Sequence, residues 1–237
     1  MKPLTTKIKY LDNFLLGILA GVAIGLGGFL NLLLVSTGHE ALKYLGGFVF
    51  SIGLFLVCFF GFHLYTGKIG YVMDNKRDYA LSLLIMYVGN IVGAVGFGYL
   101  MHLTGVIQET ATTVAMNKII ALQDAGGQSP LRMLLYSFFC GIMVFLAVDI
   151  FKKSKNWLFK VGGLVVCVAL FVITGMEHCV ADMFYFAFAN TYSTNFMAAF
   201  LALVIATAGN SLGAIATYLV VKEVNRKQVE EDIRKKD

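Results

Sequence analysis

A six-residue pattern, Gly-Asn-x-x-Gly-Ala, occurs twice in this chain, at Gly89–Ala94 and at Gly209–Ala214. Each copy lies inside a long apolar stretch, and the two are separated by half of the 237-residue sequence. Self-similarity at a fixed period indicates repeated structural units. Three apolar segments per unit is an odd number, so the two units would enter a bilayer in opposite directions. Transport proteins built in this way carry their site near the midplane, where the units meet.

Composition supports the membrane setting. The chain is 58% hydrophobic and 14% charged, with a mean hydropathy of +0.77, whereas soluble domains carry about 25% charged residues. Runs of about 20 apolar residues cross the hydrocarbon as helices. Six such segments are read, at 14–36, 45–71, 80–103, 131–151, 157–190 and 196–221. The first follows Lys2, Lys7, Lys9 and Asp12 without a small-residue cleavage site, and is expected to be retained rather than removed as a signal peptide. With the N-terminus in the cytoplasm, every Lys and Arg except Lys43, Lys118 and Arg132 falls on the cytoplasmic side. Basic loops near segment ends resist translocation, so both termini are expected there, in a multi-pass protein of the cell membrane. The net charge of +5 thus reports orientation, and no nucleic-acid partner is expected.

The expected fold is an all-α membrane protein of six transmembrane helices in two inverted three-helix repeats, about 10–104 and 130–221, forming one domain over 1–221. The connection 104–130 is long enough for a short surface helix. The tail 222–237 mixes both signs of charge and reads as a solvated cytoplasmic helix or a disordered end. Cys58, Cys140, Cys167 and Cys179 all sit in apolar segments without a C-x-x-C pair, so buried free thiols are expected. No nucleophile with a paired base, metal cluster or phosphate loop is visible, so neither an enzyme nor a cofactor or metal is expected.

Two segments are anomalous. The fifth has 34 residues, about 50 Å as one helix, and contains Gly175-Met176-Glu177-His178-Cys179-Val180-Ala181-Asp182. The second contains Gly61-Phe62-His63-Leu64-Tyr65-Thr66-Gly67. Both read as broken helices, which are tolerated at membrane depth only where protein or a water-filled cavity satisfies the freed amides.

Gly61-x-x-Leu64-x-Thr66-Gly67, Gly175-x-Glu177-His178-x-Val180-Ala181-x-Met183 and the two Gly-Asn motifs resemble the formate/nitrite transporter family. The resemblance runs over essentially the whole chain. It implies an aquaporin-like fold, a homopentamer with one pore per protomer, and passage of formate, nitrite or hydrosulfide. It makes His178 the central pore histidine and Thr66 the nearby loop threonine. Phe50 and Leu54 match the pair that narrows the cytoplasmic side, and Phe171 matches the outer constriction. Glu177 and Asn210 match the polar pair that braces the broken helix, with Glu177 expected to accept from freed amides and from Asn210; Asn90 is expected to tie helices together. The chain departs from the family pattern at His63 (usually acidic), Asp182 (usually Asn) and Gly141 (usually Asn). His63 and Asp182 are expected to compensate one another as a pair across the breaks. The outer-vestibule lysine of many members falls near Ala125-Gly126-Gly127, where no base stands; Lys118 replaces it only if the loop is realigned.

The chemistry of these residue types is clear without the name. A dehydrated anion in an apolar slot needs compensation. An imidazole supplies an N–H donor and, near neutral pH, a proton. Either an imidazolium attracts the anion, or its proton moves to the weak-acid anion and a neutral acid crosses. The alternative is a neutral-solute channel for ammonia or water. No Asn-Pro-Ala loop exists, since the only prolines are Pro3 and Pro130; ammonia is less easily dismissed, because His63 and His178 are placed to form a histidine pair at mid-depth.

Overall fold

A computed structural model describes residues 6–75, 77–121 and 127–234. Lys2, Lys76, Ala125, Gly126 and residues 235–237 lie outside the described residues, as do the side chains of Lys7, Lys9 and residues 227–234. The regular structure is helical: α1 (Thr6–Val35), α2 (Glu40–Phe60), a 3₁₀ helix (Ile69–Asp74), α3 (Arg77–Leu103), α4 (Gln108–Lys118), α5 (Pro130–Lys153), α6 (Trp157–Ile173), α7 (Cys179–Phe188), α8 (Thr191–Thr194) and α9 (Phe196–Arg234). By length and apolarity α1, α2, α3, α5 and α9 can each cross a membrane, and α6 and α7 are shorter apolar helices. The chain is a multi-pass, all-α membrane protein.

Local chemistry sets the helix ends. Ser129 caps α5 by accepting the Arg132 N–H, with Pro130 in the first turn, where its missing N–H costs nothing. Asn156 caps α6 by accepting the N–H groups of Leu158 and Phe159. At the other ends, α2 stops at Gly61 with φ 71°, and shortly after α6 Gly175 has φ 71°. This left-handed region carries little penalty only for glycine. The chain then runs without α-helix through 61–68 in one case and through 174–178 in the other.

Packing pairs α1 with α3 and α2, and pairs α5 with α9 and α6. In each pair the repeated glycines face main chain: a side chain on Gly93 would overlap the Ile18 carbonyl, and one on Gly213 the Phe138 carbonyl. Such close approach is the means by which small residues join helices in lipid. The same contact accounts for Gly141, where any Cβ would meet the Asn210 main chain. The short elements cross over, α7 packing on α3 and the 3₁₀ helix on α9.

The connection after α3 differs from the expected surface helix. Ala111 and Ala115 of α4 are fully buried, and the helix packs against α7, which directs its last residue inward. Cys140 and Cys179 are buried, Cys58 and Cys167 half-buried, and all four are free.

Candidate functional site

Two asparagines organise the interruptions. Asn90 Oδ1 accepts the Tyr65 N–H at 2.9 Å, while its Nδ2 donates to the carbonyls of Gly17 and His63, each at 2.9 Å. Asn210 Oδ1 accepts the Cys179 N–H at 2.9 Å, and its Nδ2 donates to the carbonyls of Ser137 at 2.8 Å and Glu177 at 2.9 Å. Both asparagines are fully buried, and each ties two main-chain groups of an interruption, one N–H and one carbonyl, to a carbonyl within a neighbouring helix, Gly17 of α1 or Ser137 of α5.

In register with this pattern, the residue between the two bonded main-chain groups is Leu64 in one interruption and His178 in the other. His178, 2% exposed, is the residue capping α7: its Nδ1 accepts the Ala181 N–H at 3.2 Å. A main-chain N–H can only donate, so the ring proton of this arrangement is on Nε2. Nε2 lies 2.9 Å from Thr66 Oγ1 and donates to it. The Thr66 hydroxyl proton has no further partner among the described residues and remains available. Thr66 is fully buried.

Two cavities approach this pair. One, about 240 Å³, is lined by Phe50, Lys118, Phe171, His178 and Asp182 among others. The second, about 510 Å³, is lined by Leu64 and Gly67, which flank Thr66, and by Val148, Lys68, Lys152 and Lys160. Phe171 stacks on the His178 ring at 5.9 Å and meets Phe50 edge-on at 5.7 Å. Phe50 and Phe171 therefore occupy the same end of the passage. The expectation that Phe50 narrows the opposite end is corrected, because α2 places it level with Phe171. Leu54, one turn on, is buried in the core and lines neither of these cavities.

The polar residues around His178 are arranged differently from expectation. The Glu177 carboxylate accepts from Lys118 Nζ and, at 2.6 Å, from Gln128 Nε2, whereas Asn210 touches only the Glu177 main-chain carbonyl. Asp182, 1% exposed, lies 3.5 Å from Lys118 Nζ, and neither carboxylate oxygen has a hydrogen-bond partner among the described residues. It forms no pair with His63, whose Nδ1 is also without a partner and whose main chain bonds to Leu16 and Asn90. No hydrogen bond or ring contact joins His63 to His178 among the described residues.

Lys118, Gln128, Leu64 and Val148 join the site without having been singled out for it, Lys118 having been admitted only under a realigned loop. A signal for Lys118 existed: Ala111, Ala115 and Lys118 follow the i, i+4, i+7 spacing of one helical face. Gln128 is carried in by a two-residue bridge, in which its N–H donates to the Ile119 carbonyl at 2.9 Å and its carbonyl accepts from Ala121 at 3.0 Å.

Known proteins similar to this chain in sequence and in fold point to one family. The family model described as formate/nitrite transporter matches residues 4–222. The chain is 28% identical to the formate channel FocB of Escherichia coli (strain K12) over 74% of its own length and 66% of that protein. It is 32% identical to the probable formate transporter of Methanothermobacter thermautotrophicus over 72% of each. The match to the E. coli channels thus spans about two thirds of their length. Among solved structures, a pentameric formate channel with formate bound superposes with a TM-score of 0.73 at 24% identity, covering 96% of this chain and 99% of that one. An ion channel of the same family gives 0.76 at 21% identity, covering 93% and 91%. These relatives are channels and transporters rather than enzymes.

Proposed function

Because the chain belongs to the formate/nitrite transporter family, we propose that it passes small monovalent anions of the formate, nitrite or hydrosulfide type across the cell membrane, with proton linkage through His178. The observation that carries this reading is the 2.9 Å hydrogen bond between Thr66 and His178. It puts a donor-rich polar pair at full burial between two cavities, walled by Phe50 and Phe171 on one side and by Leu64 and Val148 on the other.

The hydrogen-bond pattern suggests an order of events. The free Thr66 hydroxyl proton donates to the arriving anion. A second proton on the imidazole has to enter at Nδ1, which requires release of the Ala181 N–H. The cationic ring then gives its Nε2 proton to the anion, leaving a neutral ring and a neutral acid. One proton from solution has then moved to one anion, and re-forming the α7 cap resets the tautomer after proton exchange. Of the two outcomes open from sequence, this geometry favours transfer, since a resident imidazolium would leave the cap bond without an acceptor.

We further read α1–α3 and α5–α9 as two inverted repeats forming six transmembrane helices, two of them broken: α2 with the 3₁₀ helix, and α6 with α7. The matching hydrogen bonds of Asn90 and Asn210, and the crossed packing of α7 and the 3₁₀ helix, support that reading. The basic residues near the 3₁₀ helix, α5–α6 and the end of α9 place this face and both termini in the cytoplasm. The single domain 1–221 with the tail 222–237, lipid contact along the exposed apolar helices, and a homopentamer like that of the solved formate channel complete the proposal.

Stopped-flow measurement on proteoliposomes under formate, nitrite, hydrosulfide and ammonia gradients tests it. Saturable flux of at least one of the anions, increasing as pH falls, is expected. Flux of ammonia alone would contradict the assignment.

A further inference from the structure

The two cavities that approach Thr66 and His178 are opposite in electrostatic character. Lys68, Lys152 and Lys160 line the larger one, and no carboxylate does among its described lining residues. The Lys152 ammonium lies 5.0 Å from the Tyr71 ring centre, and that of Lys160 lies 4.9 Å from Phe151. Ring faces hold an ammonium without neutralising it. Two carboxylates close by are occupied elsewhere. Asp149 accepts from Tyr71 at 2.9 Å and pairs with Lys153 at 2.8 Å; Asp74 pairs with Lys222 at 2.6 Å. With Leu64, Val148 and Phe62 as apolar walls, the field of the three ammonium groups is concentrated toward the inner end of this cavity.

At the α4 side the balance reverses. Lys118 is tied to Glu177 and faces Asp182 at 3.5 Å, so one ammonium is set against two buried carboxylates. Asp182 lines the cavity itself, with both oxygens lacking hydrogen-bond partners among the described residues. With its oxygens buried and no N–H to give, such a side chain offers no donor to an arriving anion, and the Lys118 ammonium beside it is already engaged by Glu177. The other lining lysine, Lys43, is exposed at the rim, where solvent screens it.

We infer that the lysine-lined cavity is the anion-collecting end of the passage, and that Asp182 cancels this role at the Lys118 end, so the two faces differ in apparent affinity for a small monovalent anion. This rests on the anion passage proposed above. Asp182 acts here as a specificity-determining residue by standing where a side-chain donor would otherwise meet the anion, and Lys68 and Lys152 as the capture site.

Formate uptake into right-side-out and inverted membrane vesicles from expressing cells separates the two faces. The Lys68→Met/Lys152→Met double variant should raise KM at least about fivefold in one vesicle orientation and leave the other within about twofold. Asp182→Asn should lower KM in the opposite orientation only. If Asp182→Asn does not assemble, the lysine variant and the salt response of the wild type still decide. KM at the lysine-lined face should increase with ionic strength, and KM at the other face should not. Equal KM values at both faces, or variants that change both orientations alike, would overturn the inference while leaving anion passage standing. Absence of flux for formate, nitrite and hydrosulfide in the wild type would instead refute the anion passage on which it rests.

Discussion

Asn210 makes for the interruption before α7 the same three hydrogen bonds that Asn90 makes for the interruption after α2: one main-chain N–H accepted, two carbonyls satisfied. Identical polar brackets hold different residues, Leu64 and His178. The role proposed for His178 thus falls at one of two equivalent positions, on a scaffold that treats both alike.

Removing either bracket frees two main-chain groups of the interruption in a fully buried site. Each unsatisfied buried group costs about 1–3 kcal/mol. Asn90→Ala and Asn210→Ala are therefore both expected to lower the thermal midpoint in detergent, followed by fluorescence-detected size exclusion. Asn210→Ala should also reduce transport in whatever protein survives, because Cys179 follows His178 directly. A stable, fully active Asn210→Ala protein would contradict the bracket.

Lys118 is the sole cation in contact with Glu177 and Asp182 among the described residues. Breaking a buried ion pair by removing one partner costs about 3–5 kcal/mol, and here it would leave two carboxylates facing each other. Lys118→Met is expected to destabilise strongly, and Lys118→Met/Glu177→Gln to recover a substantial part of the loss. Thermal midpoints of the two single variants and the double variant form the cycle that measures this coupling; strict additivity would deny it.

Thr66 accepts from His178 and, in the proposed passage, donates to the anion without taking part in proton transfer. Thr66→Ala should slow formate uptake about tenfold or less, in line with loss of one or two hydrogen bonds, and keep the pH profile of the wild type. A flattened profile would give Thr66 a larger role.

The 3₁₀ helix is fastened to α9 through Asp74, which accepts from Tyr218 at 2.6 Å and from Lys222 at 2.7 and 2.6 Å. The Lys222 hydrogen bond, then that of Tyr218, holds the Asp74 carboxyl below the usual carboxylate value. A lowered folded-state pKa contributes stability above the unfolded value of about 3.9, and that contribution disappears as pH falls through the folded value. The contact should hold from neutral pH to about pH 4 and loosen below it, whereas Asp74→Asn should loosen it throughout. Distances between spin labels at Met73 and Val224 measure both.

Much of this was legible in the chain itself. The paired Gly-Asn motifs, the apolar spans and the glycine-bracketed His178 are local patterns, each tied to a short-range requirement of helix packing or helix termination. What escaped was set by long-range geometry. Lys118 reaches Glu177 because α4 leans inward on Ala111 and Ala115 and meets a bridge from Gln128, none of which has a local signature near residue 177. Phe50 was given the wrong end because spacing from Thr66, measured through a helix interruption, does not convert into depth. The Glu177 side chain and its carbonyl point to different partners, and sequence cannot separate them.

The role of His178 is tested most directly by formate uptake in proteoliposomes bearing His178→Asn, with and without an imposed proton gradient. Asparagine retains a side-chain oxygen able to cap α7, so assembly should match the wild type. Proton-stimulated uptake is expected to be abolished. Uptake at the wild-type rate, responding to the gradient as before, would contradict a central role for the imidazole.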